Sequence, residues 1–427
     1  LETLSLYKYF LQKVQALKGE QAGENFVAIT DAGTPLERIS RQNGFRRCFL
    51  GAPDVGGRFS ALSPFGLVPA AVIGVDVAKV LDRAEALLQG CVSCVPPEEN
   101  HGLWLGAILG ELAKLGRDKV TFIVPPKLAP FAGWAEQLLA ESLGKDGVGL
   151  VPITDEPIGD PSVYGDDRLF ICLRLNGFED ALEKKIRALE NAGQPIVYFH
   201  LADEYDLGQE FFRWEIATAL VGSLLGINPF DEPNVQESKD NTARIITSYQ
   251  TSGQLPSEKP LAESNSLALY ADEVTLAGLG LGADAALSAL LGAHLRAARP
   301  GDYLALMAYL PPSGENDQKF RDMQLAVRDS LKIATSAGYG PRYLHSTGQL
   351  HKGGPNNGVF LQLTMDDPED IAIPGERYGF SVLKQAQALG DLQSLRAKGR
   401  RIMRVHLKAH VAEGLDELAK LVKEAFA

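Results

Sequence analysis

Four short segments of this chain combine residue types that can move a proton or hold an anion. Gly56-Gly57-Arg58-Phe59-Ser60 runs into Ala61-Leu62-Ser63-Pro64. Two glycines let backbone approach a ligand closely. The guanidinium that follows stands just ahead of a helix start, where anions are favoured. A tight turn with a surface arginine is the alternative. Trp134, Leu138 and Glu141 fall on one helical face, spaced four and three apart, in a segment that also holds Gln137. A carboxylate on an apolar face loses solvation, and its pKa rises toward the range a general base uses. The alternative is a last-turn glutamate that fans out to solvent before Gly144. Gly226-Ile227-Asn228-Pro229-Phe230-Asp231 leads through a loop broken by two prolines to Lys239 on the next helix. Alone, Lys239 reads as a solvent-facing helical lysine. Finally, Leu344-His345-Ser346-Thr347-Gly348-Gln349-Leu350-His351-Lys352-Gly353-Gly354-Pro355 gathers two of the seven histidines in one loop. Such loops are often functional. A metal site competes as a reading, but the six-residue spacing of His345 and His351 is not a helical pair and no acidic ligand lies near it.

The elements that must position these residues follow a strand–helix rhythm. Tyr7, Phe10, Leu11, Val14 and Leu17 recur at helical spacing over residues 4–18. An apolar run at 26–29 and another at 45–50 read as short strands around a turn at 31–35. Ser63 as N-cap and Pro64 at the first helical position start a helix over 63–74. Strands are expected at 120–124, 169–173 and 196–200, and a helix over 209–225 that stops at Gly226. Residues 251–266, rich in Ser, Pro and Gly, read as a linker. Beyond them come strands near 303–309, 359–363 and 402–406. The alternation predicts an α/β protein with parallel sheets. No internal repeat is visible in the sequence.

Composition narrows the function. The chain has 427 residues, 45% of them hydrophobic and 22% charged, so two or three soluble domains are expected. A net charge of -12 without a Lys/Arg run excludes the electrostatic footprint of a nucleic-acid binder. No apolar run is long enough to span a bilayer, and four cysteines argue against a disulfide framework. A reducing cytoplasm fits. Cys91 and Cys94 form a C-x-x-C without a second pair and read as ordinary thiols. Gly278, Gly280 and Gly282 mimic a dinucleotide loop, but the fingerprint spacing is not met; a tight strand-to-helix turn explains them.

Taken together, the motifs resemble the glucose-6-phosphate isomerase (phosphoglucose isomerase) family. The stretch 56–69 is similar to its glycine-glycine-arginine signature. Glu141-Ser142-Leu143-Gly144-Lys145 resembles its catalytic-base segment, and 228–239 its C-terminal signature ending in a lysine. Leu1-Glu2-Thr3 resembles the end of its phosphate-binding loop. This likeness covers about the first 245 residues; the remainder looks like the isomerase half of transaldolase/phosphoglucose isomerase fusions. The resemblance implies sugar-isomerase (SIS) domains, each a three-layer αβα sandwich: the end of a first over 1–85, a second over 86–250, the linker, and a C-terminal α/β extension over 267–427. It implies interconversion of glucose 6-phosphate and fructose 6-phosphate without metal or cofactor. Glu141 matches the base, Arg58 the enediolate-stabilising arginine, Lys239 and His345 the ring-opening groups. Thr3, Gly56, Gly57, Gln137 and His351 are the implied substrate-binding positions, and His351 is a second candidate for the ring-opening histidine. Family order places the histidine between glutamate and lysine, whereas His345 follows Lys239, and Glu232 stands where the family has glutamine. A homodimer, a small sugar-phosphate ligand, and neither nucleic acid nor membrane as partner are expected. Since the chain opens at Leu1 on a helical pattern, a piece of a longer protein is expected, with the main phosphate loop and a transaldolase domain upstream and weak hexose-phosphate binding by the piece alone. A non-catalytic sugar-phosphate sensor and an isomerase of another sugar phosphate are the alternatives.

Overall fold

The computed structural model describes residues 1–175, 180–282, 284–408 and 410–426. The chain forms two compact units. The first comprises Leu1–Trp104, Tyr205–Ile216 and Glu369–Val382; the second holds the rest. Residues on both sides of the expected linker therefore share one unit.

In the first unit, the helix Glu2–Lys18 precedes a two-stranded parallel sheet of β1 (Val27–Thr30) and β2 (Arg47–Leu50). Aromatic packing fastens them: Phe26 stacks on Phe45 at 5.3 Å, and Tyr7 meets Phe26 edge-on at 5.9 Å. Ser63 caps the helix Pro64–Val72 by accepting from the Phe65 N–H at 3.2 Å, with Pro64 in the first turn as the sequence predicts.

The second unit contains two sheets with one strand order. Strands β3 (Lys119–Ile123), β4 (Val151–Ile153), β5 (Arg168–Leu175) and β6 (Ile196–Leu201) are all parallel and lie in the order β4-β3-β5-β6. Further along come β7 (Ala262–Glu263), β8 (Leu267–Tyr270), β9 (Tyr303–Ala308), β10 (Ala334–Tyr339), β11 (Gly358–Met365) and β12 (Arg401–Leu407). They form a sheet in the order β10-β9-β11-β12-β8-β7, parallel except for β8 and β7. Both sheets run second-first-third-fourth in their parallel part, a repetition of topology that no sequence periodicity announces. Strands β3 and β9 are buried along their whole length, as expected where helices cover both faces of a parallel sheet.

The two sheets meet through a buried ion pair. Glu156, just past β4, accepts from Arg168 of β5 at 3.2 Å and from both the N–H and the hydroxyl of Thr335 on β10 at 2.9 Å. Arg168 also donates to Thr121 of β3 at 2.9 Å. One carboxylate thus satisfies the edge of the larger sheet from the smaller one.

Two expectations change. Gly280 has φ 66 and ends the helix Glu273–Leu279, so the glycine cluster is a helix C-cap and not a strand-to-helix turn. The stretch 251–266 is partly ordered structure: its first two residues end the helix Pro233–Ser252 and its later ones supply β7. Among the described residues, no helix is long and apolar enough to cross a membrane.

His294 gives the fold a pH response. It lies on the helix Leu287–Arg296, 1% exposed, with Nε2 at 3.0 Å from the Phe360 carbonyl. That partner accepts only, so the neutral ring donates from Nε2. Burial first, then the Arg401 charge, push its pKa down to about 4. An unfolded histidine titrates near about 6.5, so the unfolded chain takes up the proton first. His294 is therefore expected to contribute fully above about pH 6.5, the contribution falling away as pH drops toward about 4. Urea denaturation across this range checks it: His294→Gln should flatten the acid-side loss, and an unchanged slope counts against the assignment.

Candidate active site

Glu141 occupies the last turn of the helix Ala129–Leu143, in the second unit. It is 8% exposed, and its Oε2 accepts from Gln137 Nε2 at 3.2 Å. The carboxylate does not fan out to solvent. Leu138 on the same face is fully buried. The helix stops at Gly144 because the chain beyond must pass against another element: a Cβ there would lie 2.4 Å from the Leu350 Cα.

That neighbouring element is the short helix Gly348–Gly353, from the histidine loop. Gln349, with no exposed surface, donates from Nε2 to the Gly144 carbonyl at 2.9 Å and to Asn234 Oδ1 at 2.8 Å. Its Oε1 accepts from the Asn234 N–H at 2.9 Å. Asn234 begins the helix Pro233–Ser252, which carries Lys239. Lys145 adds a second tie, donating to the Asn228 carbonyl at 2.7 Å and to the Asp231 carboxylate at 2.6 Å. The segment around Glu141, the 228–239 segment and the 344–355 loop thus come together in one unit, although up to 205 residues separate the partners.

The individual side chains differ in their surroundings. Lys239 is exposed on its helix, and His345 is exposed at the end of the single-turn helix Arg342–His345. Glu232 is exposed at the N-cap of the lysine helix. His351 is 3% exposed and packs among Phe360, Tyr343 and Tyr303, with ring centroids 5.0, 6.0 and 6.3 Å away. Burial, then the charges of Lys352 and Arg400, hold its pKa well below the ordinary value. The structure seats this ring in an aromatic core, where it is neutral, rather than on a surface that meets substrate.

The remaining candidates belong to the first unit. Arg58 is 8% exposed on the single-turn helix Gly57–Phe59. Gly56 and Gly57 have open space where a Cβ would stand, which leaves room for an incoming group. Thr3 is exposed on the first helix.

Sequence reasoning passed over Gln349, Lys145 and Asp391. Gln349 and Lys145 stood inside the quoted segments, yet nothing in their type marks them as ties. Asp391 has no sequence signal; it accepts from Lys352 at 2.6 Å and from the Tyr343 hydroxyl at 2.8 Å, with both charged groups buried.

The fold and this convergence define an α/β protein whose parallel sheets gather a sequestered carboxylate, a lysine helix and a histidine loop. No family model matches the chain. It is 33% identical over 231 residues to a glucose-6-phosphate isomerase of Rubrobacter xylanophilus, covering 44% of this chain and 52% of that protein. It is 30% identical over 268 residues to one of Bacillus cytotoxicus, covering 53% and 59%. Among solved structures, a hypothetical protein of Thermus thermophilus matches with TM-score 0.52 and 26% identity over 59% of this chain and 69% of that one. The chain is similar to these glucose-6-phosphate isomerases and spans little more than half the length of these curated relatives.

Removing the Gln349 amide strands a carbonyl and an N–H away from water. Gln349→Leu is expected to destabilise the second unit by about 2–3 kcal/mol, since each buried group left without a partner costs roughly 1–3 kcal/mol. Chemical denaturation checks this, and a loss under about 0.5 kcal/mol, the range of an ordinary surface change, shows that the tie is dispensable.

Proposed function

We propose that the chain is the isomerase portion of a glucose-6-phosphate isomerase, interconverting glucose 6-phosphate and fructose 6-phosphate. The observation that carries this is the sequestered Glu141 carboxylate at a helix end to which the lysine helix and the histidine loop are both tied. A sensor of sugar phosphates needs no such base; an isomerase does.

The chemistry follows from the groups. With the sugar open, Glu141 takes the proton from the carbon beside the carbonyl, leaving an enediolate, and returns it to the neighbouring carbon. The proton lost at one carbon is gained at the other, so no redox partner is needed. Negative charge develops on oxygen in between, and Arg58 is the group assigned to stabilise it. Lys239 and His345, both exposed on elements fixed to the base helix, are assigned to ring opening. An imidazole near neutrality suits proton transfer at the ring oxygen. Thr3, Gly56, Gly57 and Gln137 are assigned to substrate binding. The likeness to the isomerase half of transaldolase fusions makes such a fusion the proposed parent, which mass determination of the native protein would reveal.

In the full-length parent protein, Glu141→Gln is expected to lower turnover by about a thousandfold, within the range typical of a general base, while binding of glucose 6-phosphate persists. A coupled fructose 6-phosphate assay with calorimetry measures both. Near-normal turnover in the variant removes Glu141 from the role, and binding without turnover in the unaltered protein favours the sensor. His345→Ala should slow cyclic substrate more than an open-chain analogue; equal loss on both excludes ring opening.

A further inference from the structure

A cavity lies in the second unit, and Glu141 is not among its lining residues. Its volume is about 560 Å³, within the size range of small-molecule sites. It opens between the helix Ala129–Leu143, the ends of β4 and β10, the helix Gly314–Leu331 and the turn Arg342–His345. Glu136 lines it, five residues before Glu141. Five residues turn a helix by about 140° beyond a full turn, so the two carboxylates face different ways.

The wall is acidic and incompletely satisfied. Glu136 accepts from the Thr154 hydroxyl at 3.1 Å and from Ser346. Asp155 is enclosed by protein on most sides but open to the cavity; its carboxyl accepts from Gln324 Nε2 at 3.4 Å and from its own backbone N–H. The two carboxyls sit close enough to repel. Asp155 is pushed up to about 7 by burial, then by the charges of Glu136 and Glu156. Glu136 is raised by burial, against Thr154, Arg342 and Ser346. Asp317, also in the wall, accepts from the Tyr339 hydroxyl at 2.7 Å. Two arginines also line the cavity: Arg321 is engaged with Gln318 at 3.2 Å, and the charge of Arg342 acts on Glu136 without reaching Asp155; no lysine is among the described lining residues.

Gln324 points independently to a missing donor. It has no exposed surface and lines the cavity, and its Oε1 has no hydrogen-bond partner. A buried carbonyl oxygen in that state costs stability until something donates to it. Phe320 and Tyr339 supply an apolar aromatic surface beside these acceptors.

We propose that this cavity is a binding site for a small organic cation, a primary ammonium on a short carbon stem. The ammonium places its three donors among Glu136, Asp155 and Gln324 Oε1 and removes the carboxylate repulsion. The stem packs on Phe320 and Tyr339, a setting in which aromatic faces also favour cations. A neutral polyol fits the volume but leaves the repulsion in place, and an anion adds to it. This proposal does not depend on the isomerase reading.

Calorimetry on the full chain tests it with two matched pairs: putrescine against 1,4-butanediol, and D-glucosamine against D-glucose. Each ammonium is expected to bind about tenfold or more tightly than its neutral counterpart, the discrimination a buried charge pair gives. Whichever pair binds more tightly distinguishes an alkyl amine from an amino sugar. The double change Glu136→Gln with Asp155→Asn should lose that advantage while melting no lower than the unaltered protein, because it relieves repulsion. No binding by either ammonium, equal binding by the neutral partners, or full affinity in the double variant overturns the proposal. If the double variant does not fold, the matched pairs on the unaltered protein decide it alone.

Discussion

The arrangement of the second unit depends on one buried side-chain amide. A helix that ends inside a protein leaves carbonyls without intrahelical partners, and each must be satisfied where water does not reach. Around the end of the helix that bears Glu141, Gln349 meets this need at the Gly144 carbonyl, and at its other end it receives the Asn234 N–H that opens the lysine helix. An amide can do this because it is both donor and acceptor in one planar group; a carboxylate or an aliphatic chain of similar length cannot. Its demands also fix the glycines. Gly353 lies so near Asn234 and Gly144 that a Cβ would stand 2.4 Å from the Asn234 side-chain oxygen. Hydrogen-bond satisfaction thus acts together with apolar burial, in which Ala140 shares a cluster with Tyr343, Leu344 and Leu350, to seat the histidine loop against the helix that bears Glu141.

Around this tie the unit is braced by charges that never meet water. Lys352 and Asp391 are each almost wholly buried, and Arg400 donates to the carbonyls of Lys352 and Gly354 at 2.5 and 2.7 Å. At the seam between the sheets, Glu156 and Arg168 play the same part. Such pairs add little net stability over well-packed apolar groups, but losing one partner leaves the other charge stranded. Their consequence is registry: Glu156 reaches Thr335 only when β4 and β10 stand in one relative position. The apolar cores set which faces pack, and the polar ties set the alignment within them.

This division explains what is legible in the sequence. Strands β3, β5, β9, β11 and β12 are rich in apolar residues and can be read within a residue or two, as can the Ser63-Pro64 helix start. The three-residue β4 begins with Val151-Pro152 and carries no periodic signal; β8 and β10 escape similarly, being short or interrupted by Ser and Gly. The glycine cluster at 278–282 misleads because a strand-to-helix turn and a helix C-cap use glycine for the same backbone freedom. At the site, Glu141 stands out because a carboxylate on an apolar face is unusual. His351 is indistinguishable from His345 by type and neighbours; only packing separates an aromatic-core ring from an exposed one. Asp391 cannot be found from sequence, since its partners Lys352 and Tyr343 are 39 and 48 residues away and none of the three forms a pattern.

The same ties constrain how an acidic chain can hold an anion. With a net charge of -12, long-range attraction does not help a sugar phosphate, so cations near the site must act locally. Most basic groups close to the histidine loop are committed to the structure. Lys145 is 2% exposed and bound to the 228–231 turn, Lys352 is paired with Asp391, and Arg400 holds the loop carbonyls. Turning any of them toward a phosphate would strand a buried carboxylate or carbonyl, at a cost comparable to what a phosphate contact returns. Lys239, exposed on a helix whose start is fixed by Gln349, carries no such commitment. In the proposed reaction, positive charge in this unit falls to the exposed Lys239, while the proposed base, Glu141, is the buried group. Proton transfer between adjacent carbons favours a fixed base, because the base must keep its distance to both carbons while the groups at the ring oxygen move as the sugar opens.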